Sequence, residues 1–247
     1  MSISAARVGA VIRKELTEYR RSRFIMSTMG VIPVIFLAAP TTILLAEPLS
    51  ALGPSAGKVV GFLLLYLLLI PALIPSAIAG YSVIGERDQG TLEPVVTTPI
   101  RREELLIGKA AAALIPAIGI SYVVLGVFLA IVQFAASPVV AAAVWHSPVL
   151  LAEVFFIPLL AGWAIWIGLA ISSKASDIRV AQQLSTLAGL PPVALTLLLS
   201  FQVIDSTFLL TASLAGILLM IDCAAYLLVS KLFDRERLVT GTKPTVP

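Results

Sequence analysis

GERDQGTLEPVVTTPIRREELLIGK, from Gly85 to Lys109, holds nine charged residues in 25. It sits between two long apolar runs, in a chain that is 59% hydrophobic and only 13% charged. A mean hydropathy of +1.02 lies far from a soluble domain, whose composition is nearer half apolar and a quarter charged. Charge gathered in one connection, with almost none in the runs beside it, is the pattern of an integral membrane protein.

Working outward from that stretch, six apolar segments can be marked: roughly Phe24–Ala46, Val59–Ile84, Leu105–Ala136, Val149–Ser172, Leu184–Phe201 and Phe208–Leu232. Lipid offers no partner to unpaired backbone groups, so segments of this length are expected as helices. The fold class expected is an all-α polytopic membrane protein with six transmembrane helices and a single transmembrane domain over residues 1–247. Lys and Arg set its orientation. Sixteen of the 17 fall before the first segment, between the second and third, between the fourth and fifth, or after the sixth, counting Lys109 and Lys231 in the segment ends that flank these connections; only Lys58 lies on the other face. The positive-inside rule then places both termini in the cytoplasm. It also accounts for the pI near 9.2 by membrane topology, with no nucleic acid. The lone cysteine, Cys223, lies in an apolar segment and has no partner in the chain for a disulfide.

Residues 1–23 carry Glu15 and Glu18 among their arginines, unlike a cleaved signal peptide. Val8, Ile12, Leu16 and Tyr19 repeat at helical spacing, while Arg13, Lys14, Arg20 and Arg21 occupy other faces. Two readings stand: a topogenic basic tail, or an amphipathic entry helix along the inner leaflet. The tail at 240–247 is expected to be flexible.

In the opening stretch, Gly90 and Thr91 read as a helix start, with Thr91 as cap and Glu93 in the first turn. Leu92, Val95 and Val96 fall on one face, and Thr98–Pro99 begins a second helix that runs into the third span. A short amphipathic helix at the cytoplasmic face has an apolar side that needs cover. A partner protein, the chain's own helices or lipid headgroups would each supply it.

The run E-R-x-x-G-T-L-E followed by T-P-x-x-R-x-E-x-x-x-G-K resembles the first cytoplasmic loop of the type-2 ABC transporter permeases. Glu86, Arg87, Gly90, Thr91, Leu92, Glu93, Thr98, Pro99, Arg102, Glu104, Gly108 and Lys109 match it. The basic segment with Arg13, Lys14 and Glu15 is similar to the family's membrane-entry helix. Ser172–Pro192 resembles its second cytoplasmic loop (173–183) and the entry to the fifth span, and Phe233–Thr240 its ending. The resemblance implies that the loop at 85–104 carries a coupling helix docking on an ATPase subunit, with Glu86, Arg87, Gly90, Thr91, Leu92, Glu93, Pro99, Arg102 and Glu104 as the coupling residues. Pro94 departs from the pattern, where the family has a polar helix former. A re-entrant hairpin over 197–208 is a further implication, and both the sodium-exporter-like and drug-exporter-like branches fit.

The resemblance also implies what the chain lacks. Its nearest approach to a P-loop, GPSAGKV at Gly53–Val59, has three residues between the glycines where four are needed, and Val59 where a magnesium-binding Ser or Thr belongs. No cofactor is expected on this chain; ATP and Mg are expected on a partner ABC ATPase. A second permease copy or paralogue, a lipid bilayer and a prokaryotic plasma (inner) membrane complete the expectation. No catalytic or metal-binding residue is expected, since His146 is the only histidine. The candidate substrate path is Asp222, Glu153 and Gln133. Asp222 is set within a span, Glu153 is expected at the outer interface, and Gln133 doubles as a helix–helix bond. Ala164 and Gly168 offer a small-residue crossing. Pro71, Pro75, Pro116 and Pro191–Pro192 are expected to bend their spans. The rivals are a gradient-driven secondary transporter or channel, which wants an inverted repeat that is not seen, and an intramembrane enzyme, for which no residues are positioned.

Overall fold

The computed structural model describes residues 3–46, 56–91, 100–194 and 208–232. Among these there is helix and no strand. The helices are α1 (Ala5–Arg21), α2 (Arg23–Ala46), α3 (Ala56–Leu67), α4 (Leu69–Asp88), α5 (Arg102–Ala135), α6 (Pro138–Trp145), α7 (Pro148–Lys174), α8 (Ile178–Gly189) and α9 (Phe208–Leu232). Among the described residues, five stretches are long and apolar enough to cross a membrane: Arg23–Ala46, Gly57–Asp88, Arg102–Ala135, Val149–Lys174 and Thr211–Lys231.

The second expected span is two helices in line, broken at Leu68. Pro71 explains the break. It has no N–H to give the carbonyl of Leu67, and Leu68 instead bonds back only three residues, to Leu65, at 3.1 Å. The connection between the third and fourth expected spans contains α6. Two Ser-Pro pairs make it: Ser137 caps α6 and Ser147 caps α7, each followed by a proline in the first turn. The loop expected at 173–183 is shorter than that. Only 175–177 separate α7 from α8, because Asp177 accepts from Arg179 N at 2.7 Å and Val180 N at 3.2 Å and starts the helix at once. Of the fifth expected span, helix runs to Gly189 and resumes at 191–194 after a break before Pro191; the rest, with the hairpin at 197–208, lies outside the described residues.

α4 is the hub. Fifteen of its 20 residues are buried, and it packs against α7, α8, α5 and α2. Helices in lipid gain little from burying apolar surface against each other, so close backbone approach must hold them. The sequence supplies small residues where it happens. A Cβ on Gly168 of α7 would lie 2.6 Å from the Cβ of Ala79, and one on Gly80 would lie 2.8 Å from Ser185 Oγ of α8. Ala181, Ser185 and Gly189, spaced by four, form the buried stripe of α8. The anticipated crossing at Ala164 and Gly168 is therefore the α4–α7 seam. Apolar side chains of α2 and α9 point outward instead, Val34 and Leu209 among them.

Candidate coupling site at the basic end of the bundle

The end of α4, the start of α5, the end of α7 and all of α1 meet at one end of the bundle. α1 lies on α5 and α2, and its buried residues are Val11, Glu15 and Tyr19. Gly108 lets it come close: a Cβ there would meet Val11 at 2.6 Å. An acid thus stands in the middle of the apolar stripe of α1, and it meets a lysine on the buried stripe of α5.

That lysine is Lys109, whose side chain has no exposed surface. Its ammonium lies 2.8 Å from Glu15 Oε1 and 2.8 Å from Glu86 Oε2, and 3.3 Å from both oxygens of Ser82. Lys14 closes the knot, pairing with Glu86, with Glu15 at 3.3 Å and with Glu18 at 3.0 Å. Two lysines and three carboxylates so bind α1, α4 and α5 at one point. Burial works to raise the Glu15 carboxyl, but Lys109 and Lys14 outweigh it and hold it below its ordinary value. Burial likewise opposes the Lys14 charge, and the Glu15 and Glu86 carboxylates overcome it, raising that ammonium above its usual range. The Tyr19 hydroxyl, buried beside these carboxylates, is pushed well up, first by burial and then by their charge. Glu15, Glu18 and Glu86 bring carboxylate oxygens within 4.8 Å of one another, and each is paired with Lys14, Lys109 or both.

A second clasp lies at Glu104. The Arg7 guanidinium grips its carboxylate through Nε and Nη2, both at 2.7 Å; Ser4 N donates at 2.8 Å and Arg101 N at 3.0 Å. The last bond caps α5, so one residue starts that helix and ties α1 to it. On the far side, Arg87 donates to the carbonyls of Ser173 at 2.9 Å and Ala175 at 3.0 Å, gripping the end of α7 where free carbonyls favour a cation.

Between these clasps the charged loop departs and returns. Gly90, at φ +68°, takes the left-handed conformation that a side chain resists. Its N–H donates to Arg87 O at 3.1 Å and that of Thr91 to Glu86 O at 2.9 Å, the paired bonds of a Schellman stop. Gly90 and Thr91 therefore close α4. Leu92, Glu93 and Pro99, with the helix expected there, lie outside the described residues. Arg102, half exposed beside Glu103, opens α5. Glu86, Arg87 and Glu104 face inward and engage the chain's own groups.

The match to a known family comes over this same region and beyond it. A family signature described as "ABC-2 family transporter protein" covers residues 11–202, that is 192 of 247 residues. The chain belongs to the ABC-2 transporter family. No curated protein matches it. Membership implies an ABC ATPase partner and a lipid bilayer in general terms, and with five long apolar helices it makes the chain a multi-pass membrane protein.

The intramembrane candidates of this ABC-2 protein do not form one cluster. Gln133 accepts from Trp145 Nε1 at 2.9 Å, an exposed bond joining α5 to α6. Asp222 packs on bare backbone, since a Cβ on Gly162 of α7 would lie 2.9 Å from its Oδ2. Glu153, expected at the outer interface, has instead no exposed surface. It stands on the α7 stripe of Phe156, Ile157, Leu160 and Ala164, which turns toward the core. Sequence reasoning overlooked the pair of Glu15 and Lys109. The available signal was an acid at i+4 from Val11 and i−4 from Tyr19, on the side of α1 that otherwise reads apolar.

Proposed function

We propose that this chain is the membrane-spanning permease subunit of an ABC exporter, forming half of a translocation path and driven by a separate ATPase subunit that carries ATP and Mg. The observation that carries the reading is how the chain on either side of residues 92–99 is held. It leaves α4 through the Gly90 turn and enters α5 at Glu104, and the knot at Lys109 fastens both helices to α1. The stretch holding α4 is the most enclosed of the five candidate spans. A push delivered to the ends of α4 and α5 is therefore carried to the centre of the bundle by stiff helices.

In this reading the segment carries the coupling helix, and Glu93 and Arg102 meet the ATPase. The inward residues Glu86, Arg87 and Glu104 transmit its motion to α7 and α1. Both termini lie in the cytoplasm of a prokaryotic cell, at the plasma membrane. A second permease copy or paralogue completes the path, since six spans enclose little. With so few charges in the spans, the cargo is amphipathic or hydrophobic, a drug, lipid or peptide in preference to a bare ion. Reversing Glu93 to Lys is expected to abolish ATP-dependent transport in reconstituted vesicles while the chain still inserts. Unchanged transport with the ATPase still bound would remove the coupling assignment.

The buried acids Glu153 and Asp222 favour one alternative, a gradient-driven transporter. It differs in requiring no ATP.

A further inference from the structure

Glu153 is the one ionisable residue on the buried stripe of α7 between Ala152 and Leu169. Neither of its carboxylate oxygens has a hydrogen-bond partner among the described residues. A carboxylate with no donor and no cation is strongly disfavoured in such surroundings, whereas the neutral acid fits them. The helices packed on α7 offer it no counter-charge. α3 carries Lys58, which is exposed, and Tyr66, whose ring lies against Phe36. The ionisable groups of α4 are Tyr81, Glu86, Arg87 and Asp88, and those of α8 are limited to Arg179. All of these stand at the basic end, where Ser172 meets α4, about 29 Å along α7 at 1.5 Å per residue. α9 brings Asp222 to Gly162, nine residues further on, with Cys223, Tyr226 and Lys231 beyond it. His146, before α7, is exposed, its ring nitrogen against Ala142 O.

α5 turns toward the same place with Lys109 in the knot and Tyr122, and Tyr122 makes a telling bond. Pro158 lies inside α7, five residues after Glu153. Having no N–H, it leaves the carbonyl of Val154 without its helical donor. The Tyr122 hydroxyl donates to that carbonyl oxygen at 2.8 Å. A helix with one rung missing beside Glu153 has a place to bend, and the tyrosine clasps it.

We propose that Glu153 is a proton-binding site on a hinged outer segment of α7. Its carboxyl holds a proton while the segment is packed and Tyr122 clasps Val154. It releases that proton to water when the segment swings about Pro158, and takes one up again on closing. Opening of this end of the bundle is thereby linked to one proton. The inference rests on the permease reading only in taking α7 to move during transport.

Dicyclohexylcarbodiimide tests the site on the unaltered chain in lipid vesicles at neutral pH. A protonated carboxyl passes its proton to a carbodiimide nitrogen as its oxygen adds to the central carbon, and in dry surroundings the adduct rearranges to a stable N-acylurea. Peptide mass spectrometry is expected to find that adduct on Glu153, lost in Glu153→Gln and weakened in Tyr122→Phe, where the clasp is gone. In transport assays Glu153→Gln is expected to flatten the pH profile. An unmodified Glu153 in vesicles, when the same peptide is modified after denaturation in acid, would overturn the proposal; so would a pH profile unchanged in Glu153→Gln. Labelling without any ATP requirement for transport would leave the proton site standing and remove the ABC-exporter reading alone.

Discussion

A lysine with no exposed side-chain surface is tolerated in an apolar helix only where carboxylates reach it, as Glu15 and Glu86 reach Lys109. Lys109→Met would leave two buried carboxylates facing one remaining cation. The expected loss is about 3–5 kcal/mol, read by thermal unfolding of the purified protein. Lys109→Met with Glu15→Gln should recover part of it, and strictly additive effects would show that the pair does not interact. The knot also predicts how α1 responds to pH. Glu15 is held below the usual carboxyl value of 4.5, so its contribution is present above that value and is lost as pH falls through its lower folded value. Lys14 is raised above 10.5 and Tyr19 well above 10.0, so their contributions are present below those values and fade as pH rises through the folded ones. Hydrogen exchange of the α1 amides should therefore show a protected plateau between acid and alkaline limits; protection rising steadily into acid would contradict the pairing. At this scale the sequence is least legible. The sequence reading left Glu15 off the apolar stripe of Val8, Ile12, Leu16 and Tyr19; its partner stands 94 residues away, and the close approach at Gly108 joins them.

The helices themselves were legible wherever apolar length alone decides. Their breaks were legible only in part, with breaks found beside Pro71 and Pro191 as expected, because a proline acts through one missing donor whose effect depends on what replaces it. Pro71 breaks a span at Leu68, while α5 runs unbroken from Arg102 to Ala135 through Pro116. The seams make a sharper test of how the helices are held. Gly168→Ala places a Cβ 2.6 Å from that of Ala79 with no flexible side chain to yield, and is expected to destabilise by about 1–3 kcal/mol. Gly126→Ala meets nothing within 4 Å and should leave stability equal or slightly raised. Equal melting of the two variants would mean that the α4–α7 approach is not close. Gly90→Ala, at φ +68°, is expected to lose about 1–2 kcal/mol for the left-handed backbone, seen as faster exchange at the last amides of α4 while α8 is unchanged.

For the whole molecule, four motifs in their expected order suggested the family; the signature over residues 11–202 bears out the family and spans three of them, Phe233–Thr240 lying beyond it. The path through the bundle was not readable the same way. Asp222, Glu153 and Gln133 were chosen for polarity inside or beside apolar runs, and helix rotation, which decides where each points, is set by small-residue seams between distant segments. What joins the family to an activity is the loop held between α4 and α5, and with it the claim that the chain moves cargo only when an ATPase pushes there. The most direct measurement is purification of the tagged chain from native membranes in mild detergent, with subunit stoichiometry by mass spectrometry and transport assayed after reconstitution with and without ATP. The account predicts a P-loop polypeptide in equal numbers with the permease, and transport that stops without ATP. A chain recovered alone and still transporting down an ion gradient would contradict it.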